Sequence, residues 1–104
     1  MIKGIGVDIC NLYRLGDLDK LAKKILHKDE YALYQQKKTE QTKREFLGGR
    51  FALKEAYIKA CGVTPFKDIC CLNDHHGKPY IVDKNCHVSI SHEKDYAIAF
   101  VVAE

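Results

Sequence analysis

Two carboxylates, a lysine and a histidine stand in settings that suit chemistry. Asp8 closes the run Gly4-Ile-Gly-Val-Asp8 and shares a strand face with Gly4 and Gly6, where a missing side chain lets a ligand or another backbone come close. Glu55 and Lys59 lie in Phe46–Ala60, in which Gly48, Ala52, Glu55 and Lys59 follow i, i+4, i+7, i+11 spacing and share one helix face. That face begins with small residues and ends in opposite charges. Laid against the glycine face of the first strand, it brings Glu55 towards Asp8. Facing carboxylates with open coordination positions suit Mg²⁺, which takes one or two protein carboxylates and completes its shell with water and substrate phosphate. Lys59 is then placed to neutralise a phosphate oxygen. Two plainer readings stay open at this point. Asp8 could cap a turn, and Glu55–Lys59 could be a surface i,i+4 pair worth a few tenths of a kcal/mol.

Val88-Ser-Ile-Ser-His92 reads as a strand ending in a turn, with His92 within reach of a ligand and Ser91 adding a hydroxyl. A lone histidine at a turn is also common as a plain surface residue. The chain has no Gly-x-Ser-x-Gly elbow, no Walker loop and no Gly-x-Gly-x-x-Gly opening a helix. With no nucleophile beside a base, the attacking group is expected to belong to a substrate. A competing cluster, Cys70, Cys71, His75, His76, Cys86 and His87, contains zinc-ligand types. Its pairs are adjacent rather than two to four apart, and adjacent strand residues point to opposite faces. A small RNA-binding domain is the other rival, but the expected strands lack interleaved basic and aromatic residues.

These residues need elements to position them. Residues 2–10 read as a strand, with Ile5, Val7 and Ile9 on one face and Gly4, Gly6, Asp8 and Cys10 on the other. Residues 17–26 read as a short helix capped by Asp17, and Asp29 to about Lys37 as another. Thr39 to Cys61 is the longest helical segment, with Gly62 and Pro65 as its stop. Phe66–Leu72, Pro79–Val82, Cys86–Ser91 and Tyr96–Ala103 read as strands separated by turn-rich segments, the last being His92–Asp95. The order predicts an α+β fold, a small antiparallel sheet packed against one long and two shorter helices. The last strand is apolar on both faces, so it is either central or covered by another subunit.

At 104 residues and 11.9 kDa the chain is expected to form a single domain, residues 1–104. The net charge of +3 conceals an uneven spread. Residues 20–59 hold eleven Lys/Arg against five Asp/Glu, a balance of +6, and the remainder carries −3. That basic section fits an acidic partner or a phosphorylated ligand, or simply a solvated helix surface. No apolar run approaches the ~18 residues of a membrane span, and the N-terminus lacks a signal peptide's apolar stretch. Five cysteines outside a secretory context suit reduced thiols in a cytoplasmic protein.

Taken together, Gly4-Ile-Gly-Val-Asp-Ile9, Arg50-Phe-Ala-Leu-Lys-Glu-Ala56 with Lys59, Gly77-Lys-Pro79 and Ser89-Ile-Ser-His-Glu-Lys-Asp-Tyr-Ala97 resemble the AcpS-type phosphopantetheinyl transferases, the bacterial holo-(acyl-carrier-protein) synthases. The likeness spans nearly the whole chain, in order and at close to the usual separations. It implies the phosphopantetheinyl transferase fold and transfer of 4′-phosphopantetheine from coenzyme A to a serine of apo acyl carrier protein, for fatty acid and lipid biosynthesis. It implies a homotrimer with active sites at subunit interfaces, dependent on Mg²⁺ and acting on neither nucleic acid nor membrane. Asp8 and Glu55 correspond to the metal ligands, Lys59 to the active-site lysine, and His92 with Ser91 to the motif at the coenzyme A site. Arg50 and Lys54 correspond to phosphate contacts, and Arg14 to a basic position that docks the carrier protein. The chain departs from the family pattern after the long helix, where only Gly62 to Phe66 remains of a longer glycine-containing loop.

Overall fold

The longest helical pattern becomes the spine of the molecule. In a computed structural model, which describes residues 1–104, the chain runs through strand β1 (Gly4–Asn11), a 3-10 turn (Leu12–Arg14), helices α1 (Leu18–Ile25), α2 (Lys28–Gln35) and α3 (Glu40–Cys61), a second 3-10 turn (Phe66–Asp68), and strands β2 (Cys71–Asn73), β3 (Pro79–Ile81), β4 (Cys86–Glu93) and β5 (Tyr96–Ala103). Asp17 caps α1 and Gly62 stops α3 as expected, and Thr39 caps α3. The Asp17 carboxylate accepts from the Lys20 N–H at 3.1 Å, the Thr39 hydroxyl accepts from the Thr42 N–H at 3.1 Å, and Gly62 ends α3 at φ +104°.

The α+β class stands, with two differences in detail. The strands form two antiparallel sheets, β1-β5-β4 and β2-β3, not one meander. Phe66–Leu72 is mostly not a strand, because the Phe66 carbonyl accepts from Lys54 Nζ and the Pro65 carbonyl from the Asp68 N–H. The β4–β5 hairpin also turns on only two residues, Lys94 and Asp95, with Lys94 at φ +51°. His92 therefore belongs to the strand, paired with Ala97, rather than to a turn.

α3 lies across one face of the three-stranded sheet, burying Ala52, Leu53 and Ala56 against Cys10, Ala99 and Val101. Its opposite side packs under α1 and α2 through Leu47, with Ala22, Ile25, Leu26 and Tyr34. The approach to β1 is backbone to backbone. A Cβ on Gly6 would stand 1.9 Å from the Ala56 carbonyl oxygen, and one on Gly4 the same distance from that of Ala60. Gly6→Ala must push α3 away, and its cost is expected to reach about 3 kcal/mol, the upper end for overpacking. A urea midpoint indistinguishable from the parent would refute that close approach.

The central strand β5 explains half of its double-faced apolarity by its position. The other half is exposed. Ile5, Val7 and Ile9 of β1 lie beside Ile98 and Phe100 of β5 on the sheet face that no helix covers. In register, Val7 opposes Phe100 and Ile9 opposes Ile98. A contiguous apolar surface of this kind marks an interaction face.

Candidate active site

The first half of the site sits where β1 meets α3. Asp8 follows Gly6 by two residues on the helix-facing side, and Lys59 Nζ donates to Asp8 Oδ1 at 3.1 Å and to the Val7 carbonyl at 3.0 Å. Glu55 is one helical turn before Lys59 on the same face, as its i,i+4 spacing dictates. Strand and helix thus bring Asp8 and Lys59 together, with Glu55 one turn before Lys59 on the same helix face. The Asp8 side chain is 20% exposed and that of Lys59 54%. A pair this open is worth roughly 0–1 kcal/mol, so Lys59 can leave Asp8 at little cost. Glu55 takes part in none of the protein's ion pairs.

The second half lies on the other flank of α3, along β4. A cleft of about 390 Å³ is lined by Phe46, Gly49 and Arg50 of α3, Asn73 and Gly77 from the β2–β3 hairpin, and His92, with Lys37 and Glu45 at its rim. Gly49 leaves room for Ile90, whose Cγ2 would stand 3.0 Å from a Cβ there. Arg50 stacks on Phe46 at 4.3 Å and donates through Nη2 to Asn73 Oδ1 at 2.7 Å and to the Cys71 carbonyl at 3.1 Å. His92 Nδ1 lies 3.8 Å from Glu45 Oε2. Asp8 and Ile90 are held two strands apart through Ala99, roughly 10 Å across the sheet. One chain therefore carries the carboxylate pair and the cationic cleft on opposite sides of the same helix.

The structure does not keep every expected residue together. Lys54 is fully buried, and its ammonium spends all three protons on Glu30 Oε1 at 2.5 Å, the Ile25 carbonyl at 2.8 Å and the Phe66 carbonyl at 2.9 Å. Burial lowers its pKa, against the opposing pull of Glu30. As placed, Lys54 has no proton left for a phosphate, so its expected ligand contact is corrected to a packing role. Ser91 pairs with Ile98 on the outer apolar face, away from His92. Arg14 is exposed in the turn after β1, in a hollow with Asn11, Leu15 and Tyr96.

The Cys/His cluster does not converge either. His87 pairs with Glu104 at 2.5 Å, and His75 stacks near His76 in the β2–β3 turn. Cys70 instead comes within 4.8 Å of the donor atoms of His27 and Asp29. There His27 Nδ1 already accepts from the Asp29 N–H as the cap of α2, and burial raises the Cys70 thiol to about 11. Sequence reasoning missed Glu30, Phe46 and Asn73. Glu30 alone carried a signal, a carboxylate at i+4 from Leu26 and i−4 from Tyr34 within an apolar stripe.

A helix-backed sheet with Asp8 and an exposed Lys59 on one flank and a cationic cleft on the other points to a class. Residues 4–101 match the model of the 4′-phosphopantetheinyl transferase superfamily, and the chain belongs to that family. It is similar to the holo-(acyl-carrier-protein) synthases of Anoxybacillus flavithermus, 44% identical with 100% of this chain and 97% of the relative covered, and Geobacillus sp. strain WCH70, 46% identical with 100% and 98% covered. Among solved structures it resembles a holo-(acyl-carrier-protein) synthase from Bacillus anthracis in complex with CoA (3′,5′-ADP). That match has a TM-score of 0.89 and 42% identity, and covers 98% of this chain and 96% of the other. The two sequence alignments run over 117 positions against 104 residues here, so the relatives carry residues that this chain lacks.

Proposed function

We propose that this protein transfers the 4′-phosphopantetheine arm of coenzyme A to a serine hydroxyl of apo acyl carrier protein, releasing adenosine 3′,5′-bisphosphate, for fatty acid and lipid synthesis in the cytoplasm. Its family membership and its likeness to holo-(acyl-carrier-protein) synthases, one of them a coenzyme A complex, support this. No helix is long and apolar enough to cross a membrane, and all five cysteines are unpaired, which suits a reducing compartment. The observation that carries the reading is the carboxylate pair with a loosely held lysine, a donor set suited to a hard cation and a phosphate.

Asp8 and Glu55 would hold Mg²⁺, supplied by two separate rigid elements with at most one carboxylate oxygen engaged by Lys59. When bound, the ion supplies Lewis-acid neutralisation of the coenzyme A pyrophosphate. The serine oxygen attacks the β-phosphorus, its proton passing to Glu55 or to water, and the bond from that phosphorus to the bridging oxygen breaks, the oxygen leaving with the nucleotide. Lys59 swings from Asp8 to neutralise charge on the phosphoryl oxygens. Arg50 and His92, in the cleft, take the nucleotide end with its 3′-phosphate. Incubating the protein with coenzyme A, MgCl₂ and apo acyl carrier protein should add one phosphopantetheine arm to the carrier by mass spectrometry. An unchanged carrier mass would overturn the assignment.

The assembly we propose is a homotrimer. Its apolar outer sheet face, including Ser91, would be covered by neighbouring chains. The split site favours a head-to-tail ring, which sets the β1 flank of one subunit against the β4 flank of the next; a two-fold pair would join like flanks. Arg14 with Lys20, Lys23 and Lys24, all exposed, forms the surface for the acidic carrier. Its KM should rise steeply between about 0.01 and 0.1 M salt, as the screening length falls from about 30 to about 10 Å. A KM unmoved by salt would remove the electrostatic docking.

A further inference from the structure

One of the most heavily bonded side chains in the molecule is one that the transfer reaction does not touch. Glu30, in the first turn of α2, is completely buried. Its Oε1 accepts from the His27 N–H at 2.9 Å and from Lys54 Nζ at 2.5 Å, and its Oε2 accepts from the Cys71 N–H at 3.0 Å. The same Oε2 lies 3.9 Å from Arg50 Nε, which is buried without a hydrogen-bond partner. Cys71 is thus gripped at both ends of one residue, its N–H by Glu30 and its carbonyl by Arg50.

These contacts converge on the cleft. Asn73, two residues beyond Cys71 in β2, is the other acceptor for Arg50 Nη2. Arg50 is therefore fixed by Phe46 under its plane, by Cys71 and Asn73 at Nη2, and by the Glu30 charge facing Nε. Its Nη1 is the nitrogen left without a protein acceptor and without full burial. One carboxylate facing two cations leaves the cluster with a surplus positive charge, and Arg50 is the member that lines the cleft. Losing any of these bonds leaves a buried charge under-satisfied, which holds the cluster in this arrangement.

We propose that Glu30 is a positioning residue for coenzyme A, setting the Arg50 guanidinium and the β2 wall of the cleft through Cys71, with Lys54 as its counter-charge. This rests on the cleft being the nucleotide site. Glu30→Gln alone turns one acceptor into a donor facing Lys54 or the Cys71 N–H, so the neutral pair Glu30→Gln/Lys54→Met is the variant of choice. Glu30→Asp, which keeps the charge but withdraws it by one methylene, is measured beside it in case the neutral pair does not fold. Each is compared with Arg50→Ala for kcat, for KM of coenzyme A and of carrier, and for urea midpoint.

In the folded variant the KM for coenzyme A should rise about 10-fold, the scale of one charge-assisted hydrogen bond, while kcat and the carrier KM stay within about twofold of the parent. Adding Arg50→Ala should raise KM no further than Arg50→Ala does alone, because residues acting through one another are non-additive. An unchanged KM for coenzyme A in a folded variant, or strictly additive effects, would reduce Glu30 to a stability residue and overturn the proposal. If Arg50→Ala itself leaves that KM unchanged, it is the placement of the nucleotide in the cleft that fails.

Discussion

Asp8→Ala and Glu55→Ala should each lower phosphopantetheine transfer by at least about 10³-fold, since the charge stabilisation of the Mg²⁺ proposed between them is worth several kcal/mol and each 1.36 kcal/mol is a factor of ten. The fold should survive both. Asp8 is partly exposed and joined only to the exposed Lys59 and, by sequence, to β1, so its loss strands no buried charge. Asp8→Asn sharpens the test, because it keeps the size and hydrogen-bonding reach while removing the ligand charge. Circular dichroism and urea midpoints close to the parent, beside a lost mass shift on the carrier, are the expected pair of results. Near-normal turnover by both alanine variants would exclude the carboxylate pair from the chemistry. Lys59→Met should fall between, losing phosphate neutralisation but freeing Asp8 entirely.

Phe100→Asp should be the next most damaging change, without touching either half of the site. Phe100 stands at the centre of the bare sheet face, opposite Val7 on one side and Ser89 on the other. A carboxylate there is harmless to a lone chain and prohibitive in a covered interface, where an unpaired buried charge costs several kcal/mol. On the proposed trimer, sedimentation should fall to one third of the parent mass, with activity reduced at least about 100-fold on that scale. Retention of both full mass and full activity would mean that the face is not an interface. At low coenzyme A, a mixture of Asp8→Ala and Arg50→Ala chains, refolded together, should be more active than either alone, because each supplies the flank that the other has lost.

Much of this was legible locally. The glycine–carboxylate strand, the capped long helix with its Gly62 stop and the doubly apolar last strand each follow from short-range pattern, and each appears in the structure within a residue or two. The small-residue helix face also announced its contact with β1, since only a surface without side chains permits that approach. What the pattern could not carry was the partner of each surface. Lys54 looked like one more cation beside Glu55, yet Leu47, Phe51, Lys54 and Ile58 form an apolar stripe at helical spacing, and its counter-ion lies 24 residues away in another helix. His92 was read into the turn because nothing local distinguishes a two-residue hairpin from a four-residue one when Glu93, Lys94 and Asp95 are all polar. The division of the site between the two flanks of α3 depends on strand order, which no local spacing encodes.

The contact between β1 and α3 has a consequence for how such a protein can change over time. The carbonyl oxygens of Ala56 and Ala60 rest against Gly6 and Gly4, so the gap between the strand bearing Asp8 and the helix bearing Glu55 is set by main-chain atoms alone. Substitutions among Leu53, Ile69, Val101 and their neighbours can alter melting temperature without altering that gap. Thermal adaptation and catalytic tuning are then separable. A lineage can repack the interior for heat or cold while the spacing proposed to hold the metal passes unchanged to its descendants, so long as the two glycines are kept.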